Sequence, residues 1–210
     1  MPEQRKRYVE PAIQEDLTTR MVFLGGPRQV GKTTLARMIG QRCQAPRYLN
    51  WDSREHRKSI LEQHWKPETD LLILDELHKY PRWKSLVKGL WDTRTHGEKI
   101  LVTGSSRMDI FRRGGDSLLG RYHHYRLHPF SLSELAGGVI PPPTDTTPVL
   151  EFPAGDAEIA RQLFQYGGFP EPLLAANERV LRRWHKERFE RVLREDIRET
   201  EAVRSLVISQ

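Results

Sequence analysis

A glycine-rich stretch near the N-terminus carries the residue types and the spacing that bind phosphate groups. Residues 25–34 read GGPRQVGKTT, and from Gly26 onward the spacing is G-x-x-x-x-G-K-T. In this pattern backbone N–H groups surround the phosphates, the lysine reaches the β- and γ-phosphates, and the threonine hydroxyl contacts Mg²⁺. The predicted nucleotide contacts are Gly26, Pro27, Arg28, Gln29, Val30, Gly31, Lys32, Thr33 and Thr34.

The residues on either side of this loop predict the elements that such a loop needs. An apolar run precedes it at 21–24, and Leu35, Met38 and Ile39 follow it at helical spacing. A strand before the loop and a helix after it are the required context, because the helix N-terminus adds positive potential. The stretch is therefore interpreted as a P-loop rather than as a glycine-rich turn.

A second motif supplies carboxylates. The apolar run LLILDE, typical of a strand buried on both faces, ends in Asp75 and Glu76. Ligands bind at the carboxyl ends of parallel strands, so Asp75 is predicted to hold Mg²⁺ opposite Thr33. Glu76 is predicted to polarise a water for attack on the γ-phosphate. Asp52, which follows the strand pattern LNW, is a further candidate to support Mg²⁺ or Lys32. The alternative for the Asp–Glu pair is a capping role.

Two residues further along the chain are candidates for the same reaction. Ser105, at the end of the strand pattern ILVTGSS, is predicted to sense the γ-phosphate, with Ser106 as the alternative; an ordinary loop role explains both. Arg121 is predicted to reach the γ-phosphate of a neighbouring subunit, where a guanidinium stabilises the transition-state charge. The alternative for Arg121 is an ion pair with a surface acid.

Strand-like and helix-like segments alternate in the N-terminal part of the chain. This alternation predicts an α/β protein with a parallel sheet flanked by helices. The strand patterns lie at 21–24, 47–51, 71–75, 99–106 and 122–130. A stretch rich in Pro, Gly and Thr follows, and then helical periodicity resumes. The predicted organisation is a core over 1–136, a connector over 137–155, and a small helical lid with the start of a further region over 156–210.

Composition limits the location and the partners. The chain has 210 residues, of which 30% are charged, and a net charge of +6. It contains no apolar run of membrane-spanning length, no secretory signal pattern and one cysteine, which together predict a cytoplasmic protein that does not enter the membrane. The densest basic stretch, RVLRRWHKERFERVLRED, is interleaved with acids, which favours a salt-bridged helix face over a nucleic-acid contact.

Taken together, the motifs resemble a known family. GGPRQVGKTTL, LNWD, LLILDELHKYPRWKSLVKGLWD, ILVTGSSRMD and LLGRYHHYRLHPFSLSEL are similar to AAA+ ATPases of bacteria and archaea that carry a C-terminal domain of unknown function. The resemblance implies a P-loop NTPase of the AAA+ type with a helical lid. It also implies ATP and Mg²⁺ bound through Lys32, Thr33, Asp75 and Glu76. Members of that family usually continue further, so we expect a chain truncated before the C-terminal domain.

The segment GGFPEPLL resembles a lid motif of the same family. On that resemblance Gly168 and Pro170 contact the nucleotide, although a helix cap followed by proline explains the same residues. The expected function is Mg²⁺-dependent ATP hydrolysis that drives a conformational switch, in a homo-oligomer with a protein or DNA partner left open. One alternative is a non-hydrolysing, STAND-like switch or nucleic-acid-associated module. A small-molecule kinase is a weaker alternative, because it does not need the Asp–Glu pair.

Overall fold

The computed structural model describes most of the chain. Its described residues fall into two compact units, of which the first ends at Pro129 and the second begins at Phe130. The pattern of residues 107–121 predicts one helix, or two broken at 114–115. Most of that segment and of the predicted connector 137–155 lies outside the described residues. The described ranges are 5–94, 97–104, 118–137 and 157–190.

The first unit is built on a five-stranded sheet with the strand order β2-β3-β4-β1-β5. Every neighbouring pair of strands is parallel. All residues of β1 and β3 are buried, as expected for apolar strands covered on both faces. The predicted parallel sheet flanked by helices is confirmed. The strands are β1 (Met21–Gly25), β2 (Pro46–Asn50), β3 (Leu71–Asp75), β4 (Lys99–Thr103) and β5 (Tyr122–Arg126).

Helices connect these strands. The pattern of residues 53–64 predicts a helix capped by Ser53. The side chain of Ser53 accepts a hydrogen bond from the backbone N–H of His56 at 3.3 Å, which caps the helix that follows β2. The pattern of residues 81–97 predicts a helix with Pro81 at its first position. The observed helix begins two residues later, because Arg82 has non-helical dihedrals. A short 3-10 turn, Leu77–Lys79, follows β3. The helices of this unit are α1 (Glu10–Asp16), α2 (Lys32–Gly40), α3 (Arg54–Leu61) and α4 (Trp83–Thr93).

The core of the first unit includes Phe23 of β1. Its ring lies 4.6 Å from the ring of Tyr122 in a stacked arrangement and 5.5 Å from the ring of Trp83, edge-on. Aromatic pairs of this kind stabilise a core beyond the area that they bury. This packing supports β1, whose carboxyl end leads into the predicted phosphate-binding loop.

The second unit is helical and small. Asn177 Oδ1 accepts from the backbone N–H of Arg179 at 2.9 Å, so that helical residues 178–190 have a capped start. The ring of Trp184 packs against the ring of Phe169 at 4.9 Å. None of the helices within the described part of the chain is long and apolar enough to cross a membrane. The other helices of this unit are α5 (Leu132–Leu135), α6 (Ala157–Tyr166) and α7 (Pro170–Ala175).

Candidate nucleotide-binding site

The loop between β1 and α2 has the backbone geometry of an anion-binding turn. Gly26, Gln29 and Gly31 have φ angles of 155°, 62° and 99°. A Cβ on Gly26 would lie 2.5 Å from the carbonyl oxygen of Leu127, so only glycine fits there. Gly31 is the N-cap of α2 and provides no side-chain hydrogen bond, which leaves the first N–H groups of that helix for a ligand.

Lys32 lies at the mouth of this loop with 7% of its surface exposed. Its Nζ donates to the carbonyl oxygens of Gly26 at 3.0 Å and Pro27 at 2.8 Å. Burial lowers the pKa of Lys32, while the carboxylates of Glu76 and Asp75 act in the opposite direction. The structure thus places a buried ammonium beside the loop, where negatively charged phosphate oxygens would form charge-assisted hydrogen bonds with it.

A buried arginine from the N-terminal segment supports the loop. The guanidinium of Arg7 donates to the carbonyl oxygens of Val30 at 2.9 Å and His128 at 2.5 Å. Sequence reasoning missed Arg7, because nothing in its local sequence links it to the P-loop. Among the other predicted nucleotide contacts, Arg28 and Thr34 are exposed whereas Val30 is fully buried.

Asp75 is the most heavily hydrogen-bonded side chain described at the site. Its Oδ2 accepts from Thr33 Oγ1 at 2.8 Å and from Tyr48 Oη at 2.6 Å. Asn50 Nδ2 lies 3.3 Å from the same oxygen, and the hydroxyl of Thr103 donates to Oδ1. Only 1% of Asp75 is exposed, so these donors stabilise a charge that burial alone would disfavour. The structure therefore brings Thr33 and Asp75 together, as the sequence predicts.

Sequence reasoning missed Tyr48 and Asn50, and it named Thr103 only as one of three polar residues at the end of the ILVTGSS strand, with Ser105 favoured. Each lies at or near the carboxyl end of a strand next to β3, and the register pairs Asn50 directly with Asp75. Burial and the hydrogen bond to Asp75 raise the pKa of Tyr48, so its hydroxyl remains a donor at neutral pH. The guanidinium of Arg37 lies 4.2 Å from the centre of the Tyr48 ring and holds the ring in place. The sequence signal that could have identified these residues was their position at the end of a predicted strand.

Oxygen ligands suited to Mg²⁺ meet at the end of β3. The Thr33 hydroxyl and the Asp75 carboxylate are of the type that Mg²⁺ prefers, and the ion usually completes its shell with waters and substrate phosphates. Among the described residues no group of three or more His, Cys, Asp or Glu side chains could hold a metal by itself. The residues present therefore fit an ion that is shared with a phosphate ligand.

Glu76 follows Asp75 in a left-handed conformation, with φ 57° and ψ 21°. Its Oε2 lies 3.2 Å from Nζ of Lys79, which also contacts Oδ2 of Asp52 at 2.6 Å. Although burial acts to lower it, the two carboxylates raise the pKa of Lys79. The contact found for Asp52 is thus with Lys79, whereas the sequence suggested support of Mg²⁺ or Lys32.

Arg121 lies directly before β5. Its Nε donates to Oδ1 of Asp92 on α4 at 3.0 Å, and the cations of Arg121 and Lys88 lower the pKa of Asp92. This is the surface ion pair that sequence reasoning named as the alternative, so the role of Arg121 towards a neighbouring subunit stays a prediction. Ser105 and Ser106 lie outside the described residues.

The two predicted lid contacts lie in the second unit. The N–H of Gly167, at φ 72°, donates to the carbonyl oxygen of Leu163 at 2.9 Å, which ends α6 as a glycine cap. The carbonyl oxygen of Gly168 accepts from Phe130 N at 2.7 Å, and Pro170 begins α7. The backbone roles are those of the helix-cap interpretation, and nucleotide contact by Gly168 and Pro170 stays a prediction.

Three features define a P-loop nucleotide-binding domain. They are a P-loop after β1, an Asp–Glu pair at the end of β3, and the position of strand β4 between β1 and β3. The family model described as an AAA domain matches residues 18–136, more than half of the chain. The chain therefore belongs to the AAA domain family, which confirms the predicted resemblance to AAA+ proteins. Membership of this family implies nucleotide binding. No curated protein matches the chain.

Solved structures of similar fold were also found. One is the Thermotoga maritima RuvB Holliday junction branch migration motor, at 20% identity and a TM-score of 0.41, covering 61% of this chain and 45% of that one. Another is the Aeropyrum pernix ORC1 protein in complex with DNA, at 18% identity and a TM-score of 0.43, covering 64% of this chain and 48% of that one. This chain thus spans less than half of either protein, and likenesses this distant tell nothing about its own activity.

Proposed function

We propose that this AAA domain binds Mg²⁺ and ATP and hydrolyses the ATP, and that hydrolysis drives a conformational switch. The observation that carries the proposal is the cluster at the P-loop, where Lys32, Thr33 and Asp75 converge and Glu76 follows. A phosphate-binding loop alone would also suit a kinase or a passive binding module. The additional carboxylate after the metal-binding Asp75 favours activation of water.

Each side chain has one role in this proposal. The N–H groups of the loop and the ammonium of Lys32 bind the phosphates, and Thr33 with Asp75 would hold Mg²⁺. When bound there, the ion would supply positive charge that neutralises the phosphates. Glu76 accepts a proton as a water oxygen bonds to the γ-phosphorus, the bond to the β–γ bridging oxygen breaks, and ADP leaves with the electron pair.

The position of Glu76 supports this assignment. Burial lowers the pKa of Lys32, and the carboxylate of Glu76 opposes this effect more strongly than that of Asp75, so Glu76 interacts electrostatically with the P-loop ammonium. About a quarter of its side chain, 26%, is exposed, which leaves access for a water molecule.

The ion pair of Arg121 bears on the second candidate function, a switch that binds ATP without turnover. In a single chain this guanidinium is held by Asp92, 3.0 Å away, on the surface of the first unit. We propose that the residue completes a neighbouring site in a cytoplasmic homo-oligomer, so that an isolated subunit turns ATP over slowly. A DNA or protein partner for the switch is left to experiment.

The test is release of inorganic phosphate from Mg²⁺ and ATP, without any acceptor, over a range of protein concentrations. We expect the wild type to turn ATP over. Glu76→Gln is expected to bind ATP without turnover, and Lys32→Ala is expected to lose ATP binding. Turnover without an acceptor would favour hydrolysis and count against a kinase. ATP binding without turnover at every concentration would favour the non-hydrolysing switch, and wild-type ATP affinity in Lys32→Ala would refute the P-loop assignment.

A further inference from the structure

One ammonium group is shared by two carboxylates beside the P-loop. Lys79 Nζ lies 3.2 Å from Oε2 of Glu76 and 2.6 Å from Oδ2 of Asp52. The imidazole of His78, whose Nε2 is 3.9 Å from Oε2 of Glu76, lies beyond hydrogen-bonding distance. Lys79 thus contacts both acids, and it connects Glu76 to the loop after β2.

The turn after β3 is built so that Lys79 returns to Glu76. Leu77 is fully buried and anchors the 3-10 turn, and the N–H of Lys79 donates to the carbonyl oxygen of Glu76 at 3.2 Å. A 3-10 turn aligns residues three apart, so the side chains of residues 76 and 79 share one face. Glu76 itself has the left-handed φ of 57°, a costly conformation that persists where the surrounding structure determines it.

Asp52 is fixed by contacts that join the loop after β2 to this turn. The N–H of Trp51 donates to the carbonyl oxygen of Asp75 at 2.9 Å, and the rings of Trp51 and Tyr80 stack at 4.7 Å. The N–H of Asp52 donates to Oδ1 of Asn50 at 2.7 Å. The backbone of Asp52 is therefore held beside the turn, and its carboxylate contacts the flexible lysine side chain at a second point.

We propose that Lys79 is a positioning residue for Glu76, and that Asp52 acts on the reaction only through Lys79. The inference rests on the proposed hydrolysis, because it assigns a task to Glu76. A glutamate has several rotatable bonds, and a base must lie within hydrogen-bonding reach of the attacking water to accept its proton. An ammonium held at two points keeps one carboxylate oxygen in place and leaves the other directed to the water.

The test compares Lys79→Met, Lys79→Arg and the control Lys58→Met in the full chain, with kcat, KM and ATP affinity measured for each. Lys58 makes a similar pair with Glu62 at 4.0 Å on α3, away from the P-loop. Lys79→Met is expected to lower kcat about tenfold or more, because a misplaced catalytic group costs this much, with ATP affinity within about twofold of wild type. Lys79→Arg restores much of the loss, and Lys58→Met behaves as wild type.

The role of Asp52 is tested by a double-mutant cycle. Asp52→Asn alone is expected to lower kcat about threefold, the size of an effect from one exposed ion pair. In the Lys79→Met background it is expected to have no effect, because the lysine through which it acts is gone. Additive losses in the double variant would overturn the assignment of Asp52. Asp52 is exposed, so this variant remains informative even where Lys79→Met fails to fold.

The outcomes separate this inference from the proposed function. If Lys79→Met turns ATP over as fast as the wild type, the inference is overturned, but the proposed hydrolysis is not. Equal losses of ATP affinity and kcat would also overturn it, since they indicate a structural role. A wild type with no turnover refutes the proposed function, and the inference falls with it because Glu76 then has no reaction to serve.

Discussion

Gly26→Ala is the sharpest test of the loop geometry. The new Cβ would lie 2.5 Å from the carbonyl oxygen of Leu127, a backbone atom, and 3.3 Å from Cγ1 of Val30. A contact with backbone cannot be relieved by turning a side chain, so the loop itself has to move. The φ of 155° adds strain, because side-chain-bearing residues rarely adopt it.

The magnitude follows from these two effects. Backbone strain costs about 1–3 kcal/mol, and forcing an extra methyl group into a filled space costs about 1–3 kcal/mol. If ATP binding needs the undistorted loop, the lower end of the sum, about 2 kcal/mol, weakens binding about 30-fold. The fold should survive, because β1 and its neighbours keep their hydrogen bonds and core contacts.

The assay is ATP binding by isothermal titration calorimetry, with Gly89→Ala as the matched control. Gly89 lies within α4, and a Cβ there would meet nothing within 4 Å. That variant is expected to bind ATP as the wild type does and to gain about 0.5–1 kcal/mol of stability from helix propensity. Wild-type ATP affinity in Gly26→Ala would refute the reasoning, because it would mean that the nucleotide does not depend on this loop conformation.

Two further predictions concern side chains around the site. Tyr48→Phe removes the 2.6 Å hydrogen bond to Asp75 and is expected to lower the free energy of unfolding of the first unit by about 1–2 kcal/mol, measured by urea unfolding. The control is Tyr122→Phe, because the Tyr122 hydroxyl lacks a hydrogen-bond partner in the described part of the chain. This control should change the free energy of unfolding by less than about 0.5 kcal/mol. Equal effects of the two variants would contradict a special role for the Asp75 contact. Arg121→Ala is expected to raise the pKa of Asp92 towards its usual value in an NMR titration, so the ion pair acts above that pKa and is lost on acidification. The same variant should lower turnover with ATP affinity intact, and unchanged turnover would leave Arg121 as a surface ion pair.

Much of the fold could be predicted because its signals are local. The spacing of the P-loop and the apolar strands on either side of it are contiguous in sequence, and burial on both faces leaves β1 and β3 without polar residues until their ends. Thr33 and Asp75 could be paired in advance because both motifs have a known place at the carboxyl edge of a parallel sheet. The start of α4 was placed two residues early, because a proline at a helix start is also a proline in a turn.

The sequence by itself determined the phosphate-binding loop, the acidic strand end and the α/β class, since each follows from residues adjacent in the chain. Only the tertiary structure decided that Tyr48, Asn50 and Thr103 converge on Asp75, because the strand order places β2 and β4 on either side of β3. The pairing of Lys79 with Asp52 was decided in the same way, by two loops that lie far apart in sequence and meet at one sheet edge. Hydrogen bonds and ion pairs act over a few ångströms. Their partners therefore depend on which strands are neighbours in the sheet, and not on which residues are neighbours in the sequence.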